Sequence, residues 1–183
     1  MRVLGISGSL RRESHNTRLL KAAAGLLPAG SELELFGGLA EIPPFSEDDE
    51  HAPPPAVIAL KDAIASADAV LFATPEYNGS VPGQLKNALD WVSRPRASTP
   101  LAGKPVAVVG ASMGIFGAVW AQAELRKVLS TIGARVLERD LPVAQAHETL
   151  APDGLPTDPG AREALREILA ELTELAEPLT IAA

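Results

Sequence analysis

The sequence predicts a doubly wound α/β fold, in which helices cover both faces of a parallel sheet. Short apolar runs alternate along the chain with apolar stripes at helical spacing. Three of the loops that follow apolar runs are rich in Gly, Ser and Asn, as loops at the ligand-binding edge of such a sheet tend to be. A length of 183 residues suits one domain spanning 1–183, since domains run to roughly 100–200 residues.

Val3, Leu4 and Ile6 predict a buried strand that ends in Ser7-Gly8-Ser9. Leu19, Leu20, Ala23, Leu26 and Leu27 then recur at helical spacing. Leu33, Leu35 and Phe36, interleaved with Glu32 and Glu34, read as a half-exposed strand closed by Gly37-Gly38. The proline-rich, acidic stretch from Gly37 to Pro55 is a long loop, of the kind that is usually functional or mobile. Val57, Leu60, Ala63 and Ile64 stripe a second helix, and Ala69 to Ala73 is a continuous apolar strand of the type buried on both faces. Leu85, Ala88, Leu89 and Val92 predict a third helix, and Val106 to Val109 a fourth strand. A helix follows from about Phe116 to Ile132, then a weaker last strand through Val136-Leu137 with Leu141 and Val143. Leu165, Ile168, Leu169, Leu172 and Leu175 stripe a final helix whose charged face is expected to be solvated.

Composition narrows the function. The chain has no cysteine, which removes disulfide frameworks, thiolate nucleophiles, iron–sulfur clusters and most zinc sites. His15, His51 and His147 are too scattered in sequence to suggest a metal site and read as surface residues. A net charge of −7 and 4% aromatic residues argue against a nucleic-acid surface. The uncharged run 105–123 has the length of a membrane span, but Gly110, Ser112, Gly114 and Gly117 divide it, so no membrane insertion is expected. The N-terminal apolar stretch is too short for a secretory leader, and a cytoplasmic protein is the expectation.

The three loops carry the chemistry. Gly8 to Thr17 brings Ser9, Arg11, Ser14, Asn16 and Thr17 to the start of a helix, an arrangement suited to an anion and, without G-x-G-x-x-G or a P-loop ending, best suited to a monophosphate. Ser14 alone reads equally as a helix cap. Pro75-Glu76-Tyr77-Asn78-Gly79-Ser80 before Pro82-Gly83 offers amides and an aromatic ring to a flat heterocycle. Gly110-Ala111-Ser112-Met113-Gly114 either lets a ligand ring approach the backbone or forms the nucleophile elbow of a hydrolase, with Asp140 and His147 downstream.

Together, Gly8-Ser9-Leu10-Arg11 with Ser14 and Asn16, and Pro75-Glu76-Tyr77-Asn78 with Pro82-Gly83 and Leu85 to Trp91, resemble the NADPH-dependent FMN reductase family, most closely its chromate- and quinone-reducing branch. The resemblance implies a flavodoxin-like five-stranded sheet in three α/β/α layers with strand order 2-1-3-4-5, and one non-covalent FMN. By carry-over Ser9, Arg11, Ser14, Asn16 and Thr17 would hold the phosphate. Pro75, Glu76, Tyr77, Asn78 and Gly79, with Ser112 and Gly114, would line the isoalloxazine. Hydride would come from NADPH or NADH and pass as two electrons to a quinone or similar small acceptor (chromate, an azo compound or free flavin), with no catalytic side chain required. The alternatives are an electron carrier or redox sensor without turnover, and the Ser112 hydrolase. The resemblance also implies a homodimer or homotetramer whose interface helps form the flavin site. Trp120 stands where it implies an arginine, and Met113 where it implies a proline. Trp91 and Trp120 predict an interface near the ligand mouth, with burial in the core as the alternative.

Overall fold

The computed structural model describes residues 1–177. Its core is a parallel sheet of β1 (Arg2–Ser7), β2 (Glu32–Leu35), β3 (Ala69–Thr74), β4 (Pro105–Ala111) and an edge formed by β5 (Arg135–Val136) and β6 (Pro142–Val143). The order is β2-β1-β3-β4-β5, with β6 also pairing with β4. Every residue of β3 and β4 is buried, whereas β2 alternates between exposed and half-buried positions as an edge strand does. Period-two alternation then assigns side chains to two cores. Leu4, Ile6, Val70, Phe72, Val106 and Val108 face α2 (Pro55–Ser66), α3 (Gly83–Val92) and α4 (Val119–Ile132). On the other face, Val3, Ala69, Leu71, Ala107 and Val109 meet α1 (His15–Ala23) and α6 (Pro159–Ala176).

The edge differs from the expected single strand. After β5 the chain leaves the sheet at Glu138-Arg139-Asp140 and returns in β6, both segments running parallel to β4. Charge explains the excursion: Arg139 reaches Glu167 and Glu171 on α6, and Asp140 pairs with Arg126 on α4. Leu137 and Leu141 stay buried on either side of it, and a fifth, short helix, α5 (Ala146–Thr149), follows.

The uncharged run resolves into β4, a turn and the start of α4, and no helix among the described residues is long and apolar enough to cross a membrane. The helix begins at Val119 rather than near Phe116, because Gly117 and Ala118 both take left-handed backbone angles. At Gly117 a Cβ would stand 2.5 Å from the Pro142 carbonyl carbon, so the turn and β6 touch only because that residue has no side chain.

Trp91 is 1% exposed, which settles its reading as core. Its indole N–H donates to the Pro43 carbonyl at 2.9 Å, and its ring meets Phe45 edge to face at 5.0 Å. Asn87 and Gln84 on the same face of α3 bond to Pro43, Phe45, Leu39 and Ile42. The long loop is therefore pinned along one helix face by residues spaced three and four apart.

Candidate active site

The three loops meet where β1, β3 and β4 end. A cleft of about 390 Å3 lies between them, lined by Ser9, Arg11, His15 and Asn16 of the first loop and helix start. Pro75, Glu76 and Tyr77 line it from the second loop, and Ser112, Met113 and Gly114 from the third. A wider groove of about 440 Å3 between α3 and α4 takes no residue from any of the three loops.

The first loop is organised by its own hydroxyls. Ser14 is the N-cap of α1, with its Oγ accepting the Thr17 N–H at 3.1 Å. Thr17 Oγ donates to Ser7 Oγ at 2.9 Å, and Ser9 Oγ accepts the Arg11 N–H at 3.4 Å. The N–H groups of His15 and Asn16, in the first turn of α1, have no partner within the helix, and no acid stands in that turn. Arg11 lies exposed, its guanidinium donating to the Glu13 carbonyl at 2.5 Å, and it makes no ion pair among the described residues. Unspent donors and uncompensated positive charge thus converge on one corner of the cleft, as a phosphate ester requires.

His15 is the residue that the sequence reading missed. It opens α1 inside the cleft, with its Nδ1 buried and without a hydrogen-bond partner. Burial first, then Arg11, Arg18 and His147, hold its pKa below the ordinary imidazole value. Its place directly after the cap Ser14 was the available signal.

Asn16 joins the first loop to the third. Its amide nitrogen donates to the Ala111 carbonyl at 2.8 Å, and its amide oxygen accepts the Ala111 N–H at 2.9 Å. Most of its hydrogen-bonding capacity is therefore spent on the scaffold, leaving one N–H for a ligand. Thr17 lies in an adjoining recess of about 240 Å3 that shares Ser9 with the main cleft. Ser14, Asn78 and Gly79 are close in sequence to the cleft-lining residues but do not line it.

The second loop makes a two-residue turn. Asn78 and Gly79 have φ of 55° and 74°, and Tyr77 and Ser80 exchange backbone hydrogen bonds of 3.1 and 3.2 Å. Tyr77 is left 54% exposed at the rim. Glu76 turns away from the loop, and its Oε2 accepts the N–H groups of Trp120 and Ala121, each at 3.1 Å. Glu124 on α4 reaches back to Ser80 and Val81, a contact no sequence signal marks.

The third loop does not form a nucleophile elbow. Ser112 Oγ donates to the Gly114 carbonyl at 3.4 Å, His147 sits beside Glu148, and Asp140 is paired with Arg126. Ser112 is also not among the residues with positive φ. The hydrolase reading is overturned by these separate pairings.

A cationic corner and a cleft at the carboxyl edge of a 2-1-3-4-5 sheet define a flavodoxin-like protein with its candidate ligand site at the strand ends. The sequence pattern of the NADPH-dependent FMN reductase family matches residues 1–148, and the chain belongs to that family. It is 43% identical to an NAD(P)H-dependent FMN reductase of Pseudomonas aeruginosa over 94% of this chain and 93% of the relative. With a quinone reductase of Escherichia coli K12 it shares 40% identity over 76% of this chain and 74% of the other. The solved structure of the flavoenzyme NAD(P)H:(acceptor) oxidoreductase FerB from Paracoccus denitrificans superposes with a TM-score of 0.83 at 37% identity, covering 96% of each chain.

Proposed function

We propose that the protein uses FMN to carry two electrons from NADH or NADPH to a small quinone. The carrying observation is the cleft itself, in which Arg11 and a helix start with no acid in its first turn adjoin a loop edge ending in an exposed tyrosine. When bound, FMN would supply the two-electron redox chemistry that links the nicotinamide to the acceptor. The balance is one NAD(P)H, one quinone and one proton giving NAD(P)+ and hydroquinone.

The protein's own residues bind and orient. Arg11 would supply charge to the phosphate, the Ser9 hydroxyl and the free N–H of Asn16 would supply donors, Ser14 caps the helix start behind them, and Thr17 braces Ser7. Pro75, Glu76 and Tyr77 would line the isoalloxazine together with Ser112 and Gly114, while Asn78 and Gly79 form the turn that carries Tyr77. No side chain acts as acid or base. Reduced nicotinamide as donor points to the cytoplasm as the place of action.

Met113, Ile115, Phe116 and Trp120 stand more than half exposed, and the rings of Phe116 and Trp120 stack edge to face at 4.8 Å. Four large apolar side chains beside the cleft suit a second copy of the chain that closes it, in a homodimer or a tetramer built from dimers. Quinones are the acceptor class favoured by the E. coli relative's name; chromate, azo compounds and free flavin are the others to assay.

Anaerobic mixing of the FMN-loaded protein with NADH and NADPH tests this reading. The expected result is rapid bleaching of the flavin band, reversed by benzoquinone. A bound flavin that neither nicotinamide bleaches within seconds would leave an electron carrier instead.

A further inference from the structure

Two carboxylates cross between the second loop and α4 in opposite directions. From the loop, Glu76 Oε2 accepts the Trp120 and Ala121 N–H groups. The residue at the N-cap of α4 is Ala118, which has no side-chain oxygen to offer, so Glu76 caps that helix from another part of the chain. From the helix, Glu124 Oε2 accepts the Ser80 hydroxyl at 2.6 Å and the Val81 N–H at 3.1 Å. One contact lies just before the Tyr77–Ser80 turn and the other just after it.

The turn has few other restraints. A two-residue hairpin is marginal in water, and this one carries an exposed tyrosine and two left-handed residues. Charge-assisted hydrogen bonds are stronger than neutral ones, so a carboxylate on each flank holds the turn in one conformation before any ligand arrives. The Ser80 hydroxyl and then the Val81 N–H keep the Glu124 carboxyl below its ordinary range, which means that it is ionised wherever the protein is folded near neutral pH.

We propose that Glu124, working with Glu76, is a positioning residue that fixes the isoalloxazine-binding turn against α4, so that the flavin ring meets an edge already formed. This rests on the flavin reading above. Preorganisation raises affinity by removing the ordering cost from the binding step. The effect is expected at the ring, because neither carboxylate hydrogen-bonds to the first loop.

The test titrates apoprotein with riboflavin and with FMN, following flavin fluorescence, in the parent, Glu124→Ala and Glu124→Gln. The alanine variant is expected to weaken both flavins by the same factor, about three- to tenfold. The glutamine variant keeps an acceptor oxygen and should recover part of the loss. Amide exchange at Tyr77 and Ser80 should quicken in the same order. A merely structural role would lower the melting temperature and leave the flavin affinity of the folded protein untouched. Unchanged riboflavin affinity in either folded variant, or a loss confined to FMN, overturns the proposal. If the alanine variant does not fold, the isosteric glutamine variant decides. A parent that binds neither flavin would instead refute the flavin reading itself.

Discussion

The cationic corner and the Tyr77–Ser80 turn flank one cleft but, Asn16 apart, are held by different means. In the first loop Ser7, Ser9, Ser14 and Thr17 bond to one another or to backbone within ten residues of sequence. In the second, the decisive contacts come from Trp120, Ala121 and Glu124, some 44 residues away. An anion site can be local because a helix start supplies its own donors, given a capping residue and a charge. A ring site needs an edge in a fixed place, and a short exposed turn cannot hold itself there.

The largest expected effect comes from cutting the link between loops. Asn16→Ala leaves the Ala111 N–H and carbonyl without partners in a buried position, a loss of about 2–5 kcal/mol in stability. Urea unfolding of the apoprotein measures it, and a loss under 1 kcal/mol would mean that the two loops are joined by something else. Next, Arg11→Ala should weaken FMN by about 10- to 150-fold, the value of a charge-assisted bond of roughly 1.5–3 kcal/mol, while riboflavin binding stays put. Equal loss of both flavins would remove Arg11 from the phosphate.

Gly79→Ala addresses the other half of the comparison. With φ at 74°, an alanine there costs about 1 kcal/mol, enough to weaken FMN and riboflavin alike by about fivefold if the turn frays. Fluorescence titration of both ligands separates this from the Arg11 pattern, and a selective loss of FMN would merge the two regions into one site.

The smallest expected effect is electrostatic. Because His15 has a lowered pKa in the fold, the unfolded chain binds the extra proton first as pH falls below about 6.5. Stability is therefore full above that value and declines beneath it until the folded form also titrates. Melting temperatures at pH 7.5 and 5.5 should fall further for the parent than for His15→Gln. Identical falls would place His15 outside the cationic corner.

The family was legible because its marks are compact in sequence. Gly8-Ser9-Leu10-Arg11 with Ser14 and Asn16 announces a capped helix at a strand end, and Asn78-Gly79 announces a turn needing two left-handed residues. Buried central strands were legible for a similar reason, since β3 and β4 are apolar at nearly every position. Trp91 was not, because an aromatic on a helix stripe reads the same whether a loop or a partner chain covers it. Here Pro43 and Phe45 cover it.

By itself the sequence determined the order of elements up to the edge strand, the two loop signatures and the absence of thiol chemistry, all of which depend on neighbours along the chain. Only the tertiary structure decided that Asn16 ties loop to strand, that Asp140 pairs with Arg126, and that Glu76 and Glu124 grip the Tyr77–Ser80 turn from both sides. Each of those is a hydrogen bond or ion pair between residues 14 or more apart in sequence, with no local reason to meet. Stacking β1, β3 and β4 side by side brings their loops together, and the pairing of polar groups follows from that proximity.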